Sequence, residues 1–267
     1  MDRRRGAGLP RPVHCPDRFI ALAHRLADAA GAVIRPYFRA PLTIERKADR
    51  SPVTIADRDA ERAIRQLIAT AQPDHGIIGE EFEAVKADAE YVWVIDPIDG
   101  TKAFVTGLPM FGTLIALAHG GRAILGVIDQ PVSGERWIGA TGHPCRLDGA
   151  SANVRTGTAL ADAVLYTTGP EHLLGARGFE RLRDAVGLTR YGVDCYATGL
   201  LACGLVDLVI ERGLKVYDYM ALIAVVEAAG GIITDWRGRP LDLTSDGTLL
   251  AAGDPALHRA ALALLSA

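Results

Sequence analysis

The sequence is poor in the features that mark extracellular, membrane and nucleic-acid-binding proteins. Its 267 residues include only four cysteines, scattered without a C-x-x-C pair, so neither a disulfide framework nor a zinc finger is predicted. A net charge of −3 excludes a strong general attraction to nucleic acid or to an anionic membrane. No apolar run approaches the roughly 20 residues of a membrane-spanning helix. These absences favour a cytoplasmic protein whose partners are neither nucleic acid nor membrane.

What the sequence does contain is enough hydrophobic residues, 49%, for a large core. Residues 1–16, rich in Arg, Pro and Gly, are predicted to be a mobile tail, and residues 17–267 a single domain with halves at about 17–148 and 149–267. Helical and strand patterns interleave, and Gly120-Gly121 between two strand patterns indicates a hairpin. The order predicts a layered α/β (α+β) fold with mixed sheets.

The most informative segment is Asp-Pro-Ile-Asp-Gly-Thr at residues 96–101, which follows an apolar run at residues 91–95. The run predicts a buried strand that stops at Asp96, because proline is not tolerated in a central strand. Two carboxylates so close would repel each other, and a hard cation such as Mg²⁺ would remove that repulsion. The Gly100 and Thr101 amides, if they begin a helix, would face an anion. The alternative is an ordinary β-turn.

Three further motifs lie on either side of this segment. They are Thr54-Ile55-Ala56-Asp57, Gly79-Glu80-Glu81, and Tyr217-Asp218 followed by Glu227-Ala228-Ala229-Gly230-Gly231. With these motifs, in this order, the chain resembles the inositol monophosphatase family of Mg²⁺-dependent, lithium-sensitive phosphatases. The resemblance covers roughly residues 17 to 266. It implies a five-layer αβαβα sandwich, a small-molecule phosphate ester as substrate, and a homodimer.

The resemblance also implies a set of metal ligands for two or three Mg²⁺ ions. One ion would be held by Glu80, Asp96 and the backbone carbonyl of Ile98, and a second by Asp96, Asp99 and Asp218. Asp96 would bridge, because the two oxygens of one carboxylate can hold two ions at the spacing of two-metal sites. For Asp218 the alternative is a helix cap.

By the same resemblance, the catalytic roles fall to Glu80, Thr101 and Asp57. Thr101 would hydrogen-bond the nucleophilic water, since a hydroxyl can both donate and accept, and Asp57 would orient Thr101. The amides of Gly100 and Thr101 would bind the phosphate group. For Asp57 the alternative is to cap the helix that follows Thr54.

The residues of the C-terminal motifs indicate which phosphate ester is the substrate. Residues 194–202 and 217–222, together with residues 104–115, are similar to the histidinol-phosphate phosphatase branch of the family. Asp194 and Glu211 are predicted to bind substrate, because carboxylates can pair with the amine and imidazole of histidinol phosphate. Glu211 discriminates less, since inositol-type members also place a glutamate there. For Asp194 the alternative is a loop or cap residue.

The leading hypothesis is therefore a Mg²⁺-dependent histidinol-phosphatase of histidine biosynthesis, in which a metal-activated water attacks the phosphate. The alternative within the family is an inositol-1-monophosphatase or a broad sugar-phosphate monophosphatase. A noncatalytic partner-binding protein of the same fold is a third hypothesis. It is disfavoured because the loss of a ligand would be expected in such a protein, and every ligand is present.

Overall fold

The computed structural model describes residues 14–41, 45–46 and 52–266. Most of the tail predicted over residues 1–16 lies outside these ranges, as does Lys47, which the sequence leaves open between a phosphate contact and a loop charge. Of the predicted tail, Cys15 is described. It is buried, and its amide donates to the carbonyl of Thr141 at 2.9 Å. Packed structure therefore begins a little ahead of Asp17.

The described chain alternates helices with short strands. The helices are α1 (Asp17–Ile34), α2 (Ile55–Ala71), α3 (Thr101–Val105), α4 (Arg177–Ala185), α5 (Tyr196–Ala202), α6 (Val216–Ala228) and α7 (Pro255–Ser266). The first nine strands are β1 (Glu45–Arg46), β2 (Pro52–Val53), β3 (Gly76–Gly79), β4 (Tyr91–Asp99), β5 (Gly112–His119), β6 (Arg122–Gln130), β7 (Glu135–Ala140), β8 (His143–Leu147) and β9 (Ala150–Ser151). The remaining strands are β10 (Val164–Thr167), β11 (Leu188–Tyr191), β12 (Leu208–Arg212), β13 (Ile232–Thr234) and β14 (Thr248–Ala252).

Two mixed sheets organise the molecule. In the seven-stranded sheet, β3 to β9 lie in chain order, with β3 parallel to β4 and the other neighbours antiparallel. The five-stranded sheet has the order β11-β10-β12-β14-β13, and β10 runs parallel to both of its neighbours. Antiparallel strands of one sheet can be joined by tight turns, whereas parallel neighbours need crossover connections.

Helices fill the spaces beside and between the sheets. Helices α1 and α2 pack on one face of the seven-stranded sheet and α6 packs on the other. Helix α6 also contacts α5 and β13, while α4 and α7 contact each other and α7 covers β14. Three separate apolar clusters lie between successive layers. The predicted five-layer αβαβα arrangement with mixed sheets is confirmed. Within the described ranges, no helix is long and apolar enough to cross a membrane.

The end of β4 differs from its prediction. Instead of stopping at Asp96, the strand continues through Pro97 to Asp99, and its register with β5 shifts between Asp96 and Asp99. The shift marks a bulge, where a strand tolerates a residue that cannot donate to the ladder. The carbonyl of Pro97 still accepts a hydrogen bond from the hydroxyl of Thr113 at 2.8 Å. The prediction of an early stop was therefore wrong, because it treated the strand as regular.

Candidate active site

Three carboxylates converge where β4 approaches the first turn of α6. Asp96 and Asp99 come from the bulged end of β4, and Asp218 comes from the third position of α6. Their ligand oxygens lie within 4.8 Å of one another. Backbone amides orient all three groups: Ile98 donates to Asp96 at 3.0 Å, Cys195 to Asp99 at 2.8 Å and Lys215 to Asp218 at 2.7 Å.

The electrostatics of this cluster make a bare triad of carboxylates unfavourable. Burial raises the pKa of Asp96 well above its ordinary value, and the charges of Glu80 and Asp99 raise it further. Burial likewise raises the pKa of Asp99, with further contributions from Asp194 and Asp218. For Asp218, burial and the charge of Glu80 raise the pKa to about 7. Such a cluster stays ionised at neutral pH only beside a compensating positive charge.

Glu80 and Asp57 lie close enough to the cluster for their charges to act on Asp96. Glu80 directly follows β3, and its charge raises the pKa of Asp96, Asp218 and Asp57. Asp57 is buried, and its Oδ2 atom accepts from the amide (2.9 Å) and hydroxyl (2.6 Å) of Thr54. Asp57 therefore completes a capping box at the start of α2. This is the alternative that the sequence left open, and the orienting role of Asp57 toward Thr101 stays a prediction.

Thr101 begins the short helix α3, immediately after Gly100. Gly100 has a φ of 89°, a left-handed conformation that favours glycine. The hydroxyl of Thr101 donates to the carbonyl of Ile98 at 3.1 Å. Its single proton is thus directed at a predicted metal ligand instead of at Asp57. The structure brings Thr101, Gly100 and Ile98 together in one turn beside the carboxylate cluster.

Asp194 lies against the same turn, although it belongs to the second half of the chain. A Cβ atom added to Gly100 would lie 3.0 Å from Oδ2 of Asp194, so the carboxylate packs directly on the glycine. Asp194 has a φ of 42°, a left-handed conformation that aspartate tolerates better than most residues. Burial raises its pKa to about 6, the Lys102 ammonium lowers it, and the Glu171 carboxylate raises it.

Glu211 lies near the end of β12 and is only 5% exposed. Its Oε1 atom accepts from the amide of Thr168 at 2.7 Å and from the Thr168 hydroxyl at 3.0 Å. Burial raises the pKa of Glu211 to about 8, against the opposing effect of those two hydrogen bonds. Burial therefore favours the protonated form of Glu211 in the free protein.

One small pocket is lined by two of the predicted metal ligands and by both predicted substrate residues. Asp99 and Asp218 line it together with Asp194 and Glu211. A larger cavity of about 570 Å³ lies at the opposite end of the seven-stranded sheet, where Arg122, Glu227 and Leu241 are among its lining residues. By volume alone the larger cavity would be the preferred ligand site, but none of the predicted site residues lines it. The convergence of carboxylates identifies the small pocket as the candidate active site.

Some functional contacts had no clear signal in the sequence. The amides of Cys195 and Thr168 orient Asp99 and Glu211, but backbone groups leave no mark on residue type. Glu61 is a side chain that could have been found, because it follows Asp57 by one helical turn and so shares its face of α2. Its carboxylate is buried and accepts from the amide of Glu81 at 2.8 Å.

The layered fold and the carboxylate cluster define an α/β protein with a candidate site for hard cations. A model of the inositol monophosphatase family matches residues 16–267. The chain is 50% identical over 258 residues to the bifunctional phosphatase IMPL2, chloroplastic, of Arabidopsis thaliana, covering 92% of this chain and 74% of that protein. It is 36% identical over 236 residues to the histidinol-phosphatase of Chlorobaculum parvum, covering 87% of this chain and 91% of that protein.

Comparison with a solved structure leads to the same family. An inositol monophosphatase from Zymomonas mobilis superposes with a TM-score of 0.87 at 48% sequence identity, over 94% of this chain and 98% of that one. The chain belongs to the inositol monophosphatase family. It is a phosphatase of that family. Enzymes of the family use Mg²⁺, and one structure of the same fold, an IMPase/NADP phosphatase, is a complex with Mg²⁺ and phosphate.

Proposed function

We propose that this protein is a Mg²⁺-dependent phosphatase that hydrolyses histidinol phosphate to histidinol and phosphate, in histidine biosynthesis. The observation that carries the proposal is the position of Asp194, which packs on Gly100 and lines the same pocket as Asp99 and Asp218. A phosphate bound at Gly100 would place its leaving group near this carboxylate. Histidinol carries an ammonium group, and a carboxylate binds such a cation by a charge-assisted hydrogen bond.

Asp194 and Glu211 together form an acidic wall of the small pocket. Because the pKa of Glu211 is raised to about 8 by burial, this group is partly neutral in the free protein. An ammonium or imidazolium group placed beside it would favour the carboxylate form and lower that pKa. A neutral leaving group would not have this effect. The pair of Asp194 and Glu211 therefore supports selection of a cationic ester.

The donor set fits Mg²⁺, because it consists of carboxylate and carbonyl oxygens without histidine or cysteine. We assign Glu80, Asp96 and the Ile98 carbonyl to one ion and Asp96, Asp99 and Asp218 to another, with two or three ions in all. The closeness of the three aspartates, whose oxygens lie within 4.8 Å, supports this assignment. Bound Mg²⁺ would lower the pKa of a water ligand and neutralise charge on the phosphate.

The protein's own groups would position the reactants around that site. The amides of Gly100 and Thr101 bind phosphate oxygens, and the Thr101 hydroxyl holds the nucleophilic water. The 3.1 Å contact between Thr101 and the Ile98 carbonyl supports this role, because it keeps the hydroxyl beside a metal ligand. Glu80 would hold one of the ions, which would supply the activated water. By resemblance to the family, Asp57 is assigned the role of orienting Thr101, although in the free protein its Oδ2 atom accepts from Thr54.

A substrate panel tests the proposal. We expect kcat/KM for histidinol phosphate to exceed that for inositol 1-phosphate and glycerol 2-phosphate by about tenfold or more, the value of one charge-assisted hydrogen bond. Activity should vanish in excess chelator and return with Mg²⁺, and millimolar lithium should inhibit it. Full turnover in chelator would overturn the metal mechanism, and equal kcat/KM values would overturn the substrate assignment.

The second candidate is an inositol-1-monophosphatase or a broad sugar-phosphate monophosphatase. It is favoured by the 48% identity to the inositol monophosphatase of Zymomonas mobilis. Glu211 suits this candidate equally well, because a partly protonated carboxyl can donate to and accept from sugar hydroxyls. Asp194 does not discriminate in its favour, since a hydroxyl needs no counter-charge. Preference for inositol 1-phosphate in the same panel would establish this candidate.

The proposed assembly is a cytoplasmic homodimer that binds a small phosphate ester and neither nucleic acid nor membrane. The resemblance to the family supports the dimer, and the net charge of −3 supports the absence of nucleic acid. Light scattering on the purified protein should give twice the mass of one chain. A monomeric mass across the concentration range of the assay would contradict the dimer.

A further inference from the structure

Glu61 lies on α2 close to the carboxylate cluster but outside it. Its side chain is fully buried, which is rare for glutamate unless its charge is paired. Its Oε1 atom accepts from Nε of Arg65 at 2.7 Å, and its Oε2 atom accepts from the amide of Glu81 at 2.8 Å. One carboxylate thus joins α2 to the backbone that immediately follows Glu80.

Arg65 strengthens the same connection. Its Nη2 atom donates to the carbonyl of Phe82 at 2.9 Å, and its guanidinium carbon lies 5.8 Å from the centroid of the Phe82 ring. Glu61 and Arg65 therefore bind two successive backbone positions, Glu81 and Phe82. Both contacts come from one turn of α2, so they hold the segment at a fixed distance from the helix.

Gly79 shows that the contact extends to the residue before Glu80. A Cβ atom at Gly79 would collide with Oε1 of Glu61. Glycine at this position therefore leaves the space that the Glu61 carboxylate occupies. Glu61 touches the chain directly before and directly after Glu80, which leaves the backbone of Glu80 little freedom to move.

We propose that Glu61 is a positioning residue for the metal site, because it holds the backbone of Glu80 where its carboxylate can bind an ion. The inference rests on the proposed function only in taking the carboxylate cluster as a Mg²⁺ site. A ligand fixed in advance loses little conformational entropy when it binds, and groups that orient metal ligands commonly account for 10- to 100-fold in affinity.

Glu61→Gln tests this role. Arg65 and the Glu81 amide donate to different oxygens of Glu61. Glutamine replaces one of these oxygens with an NH₂ group, which would face a donor. We expect the Kd for Mg²⁺, measured by isothermal titration calorimetry without substrate, to rise by about 10- to 100-fold. The Mg²⁺ concentration for half-maximal activity should rise in parallel. At saturating Mg²⁺, kcat should recover, which a general loss of structure would not allow.

Gly79→Ala perturbs the same contact from the opposite side, in case Glu61→Gln does not fold. It leaves Glu61 and Arg65 chemically intact and should also raise the Kd for Mg²⁺. Asp59→Asn is the matched control, because Asp59 lies on the same helix and pairs with Arg62, on a more exposed face. This variant should bind Mg²⁺ as the wild type does.

The outcomes separate the two proposals. Unchanged Kd values in both Glu61→Gln and Gly79→Ala, with normal binding by the wild type, would overturn the positioning role alone. A wild type that bound no Mg²⁺ would overturn the positioning role and the proposed metal site together. A wild type that bound Mg²⁺ without hydrolysing histidinol phosphate would overturn only the substrate, and the Kd comparison would still decide the role of Glu61.

Discussion

The carboxylate cluster of Asp96, Asp99 and Asp218 and the pocket wall of Asp194 and Glu211 are adjacent, acidic and largely enclosed, yet they are built differently. In the cluster, oxygens of different residues lie within 4.8 Å, so each charge raises the pKa of its neighbours. In the wall, each carboxylate has partners of its own. Lys102 lowers the pKa of Asp194, and Thr168 donates twice to Glu211.

This difference separates the chemical step from the choice of substrate. The cluster needs cations whichever ester is bound, because its repulsion arises within the protein. The wall carboxylates also repel, since the Asp194 charge raises the pKa of Glu211 and of Asp99, but a charged leaving group can supply their counter-charge. A substitution in the cluster should therefore impair all substrates, and a substitution in the wall should impair some more than others.

The largest effect is expected for Asp96→Asn. Asp96 is proposed to contact both ions, so its loss should lower kcat/KM by roughly 10³-fold or more for every ester tested. Glu81→Gln is the control, since the backbone amide of Glu81, and not its side chain, is the group that Glu61 holds. Steady-state kinetics at saturating Mg²⁺ would measure kcat/KM for both variants. Equal losses in two folded variants would contradict the special role of the cluster.

Thr101→Val should have the next largest effect. The substitution keeps the volume of the side chain and removes the hydroxyl that lies 3.1 Å from the Ile98 carbonyl. We expect kcat to fall by about 10²-fold, with a smaller change in KM and in Mg²⁺ affinity. Thr106→Val, at the exposed C-terminal end of the same short helix, is a control for the lost hydroxyl. A near-normal kcat would show that the metal site prepares the water unaided.

Asp194→Asn should separate the wall from the cluster. We expect KM for histidinol phosphate to rise by about 10- to 150-fold, the worth of a charge-assisted hydrogen bond. For glycerol 2-phosphate, whose leaving group is neutral, KM should change little. Steady-state kinetics with the two esters checks this. Equal impairment of both would assign Asp194 to the metal site, and impairment of neither would favour the broad monophosphatase.

The two halves of the chain also differ in how much of their structure could be predicted. In the first half, neighbouring strands of the sheet follow one another in sequence, and Gly120-Gly121 marks the turn between β5 and β6. In the second half the sequence does not predict β10 and β11, as it does not predict β8 in the first. Strands β10 and β11 have four residues each, and Leu188 and Tyr191 of β11 are exposed, so no buried apolar pattern marks that strand. Parallel pairing across a crossover leaves no local signal.

The site shows the same limit at the level of single residues. Its carboxylates were predicted because Asp, Glu and glycine stand in short motifs, and the resemblance supplied their roles and the five layers. The bulge at Pro97 was not predicted, since it depends on pairing between β4 and β5. The contact of Glu61 with the Glu81 amide depends on how α2 lies against the end of β3, which no local pattern encodes.

The last prediction concerns stability instead of turnover: in metal-free protein Glu211 should contribute a pH dependence that adds to that of the cluster, whose pKa values are raised in the same direction. Burial raises the pKa of Glu211 from 4.5 to about 8, so the folded protein keeps a proton that the unfolded chain releases. The stability linked to this proton is complete below pH 4.5 and is lost as pH rises toward 8, with a slope of at most about 1.4 kcal/mol per pH unit.

The Glu211→Gln variant should not show this loss of stability with rising pH. Urea unfolding in chelator at a series of pH values, with exposed Glu83→Gln as control, would measure the difference. If wild type and Glu211→Gln showed parallel pH profiles, Glu211 would be ionised in the free protein, and a cationic substrate would not need to shift its charge state.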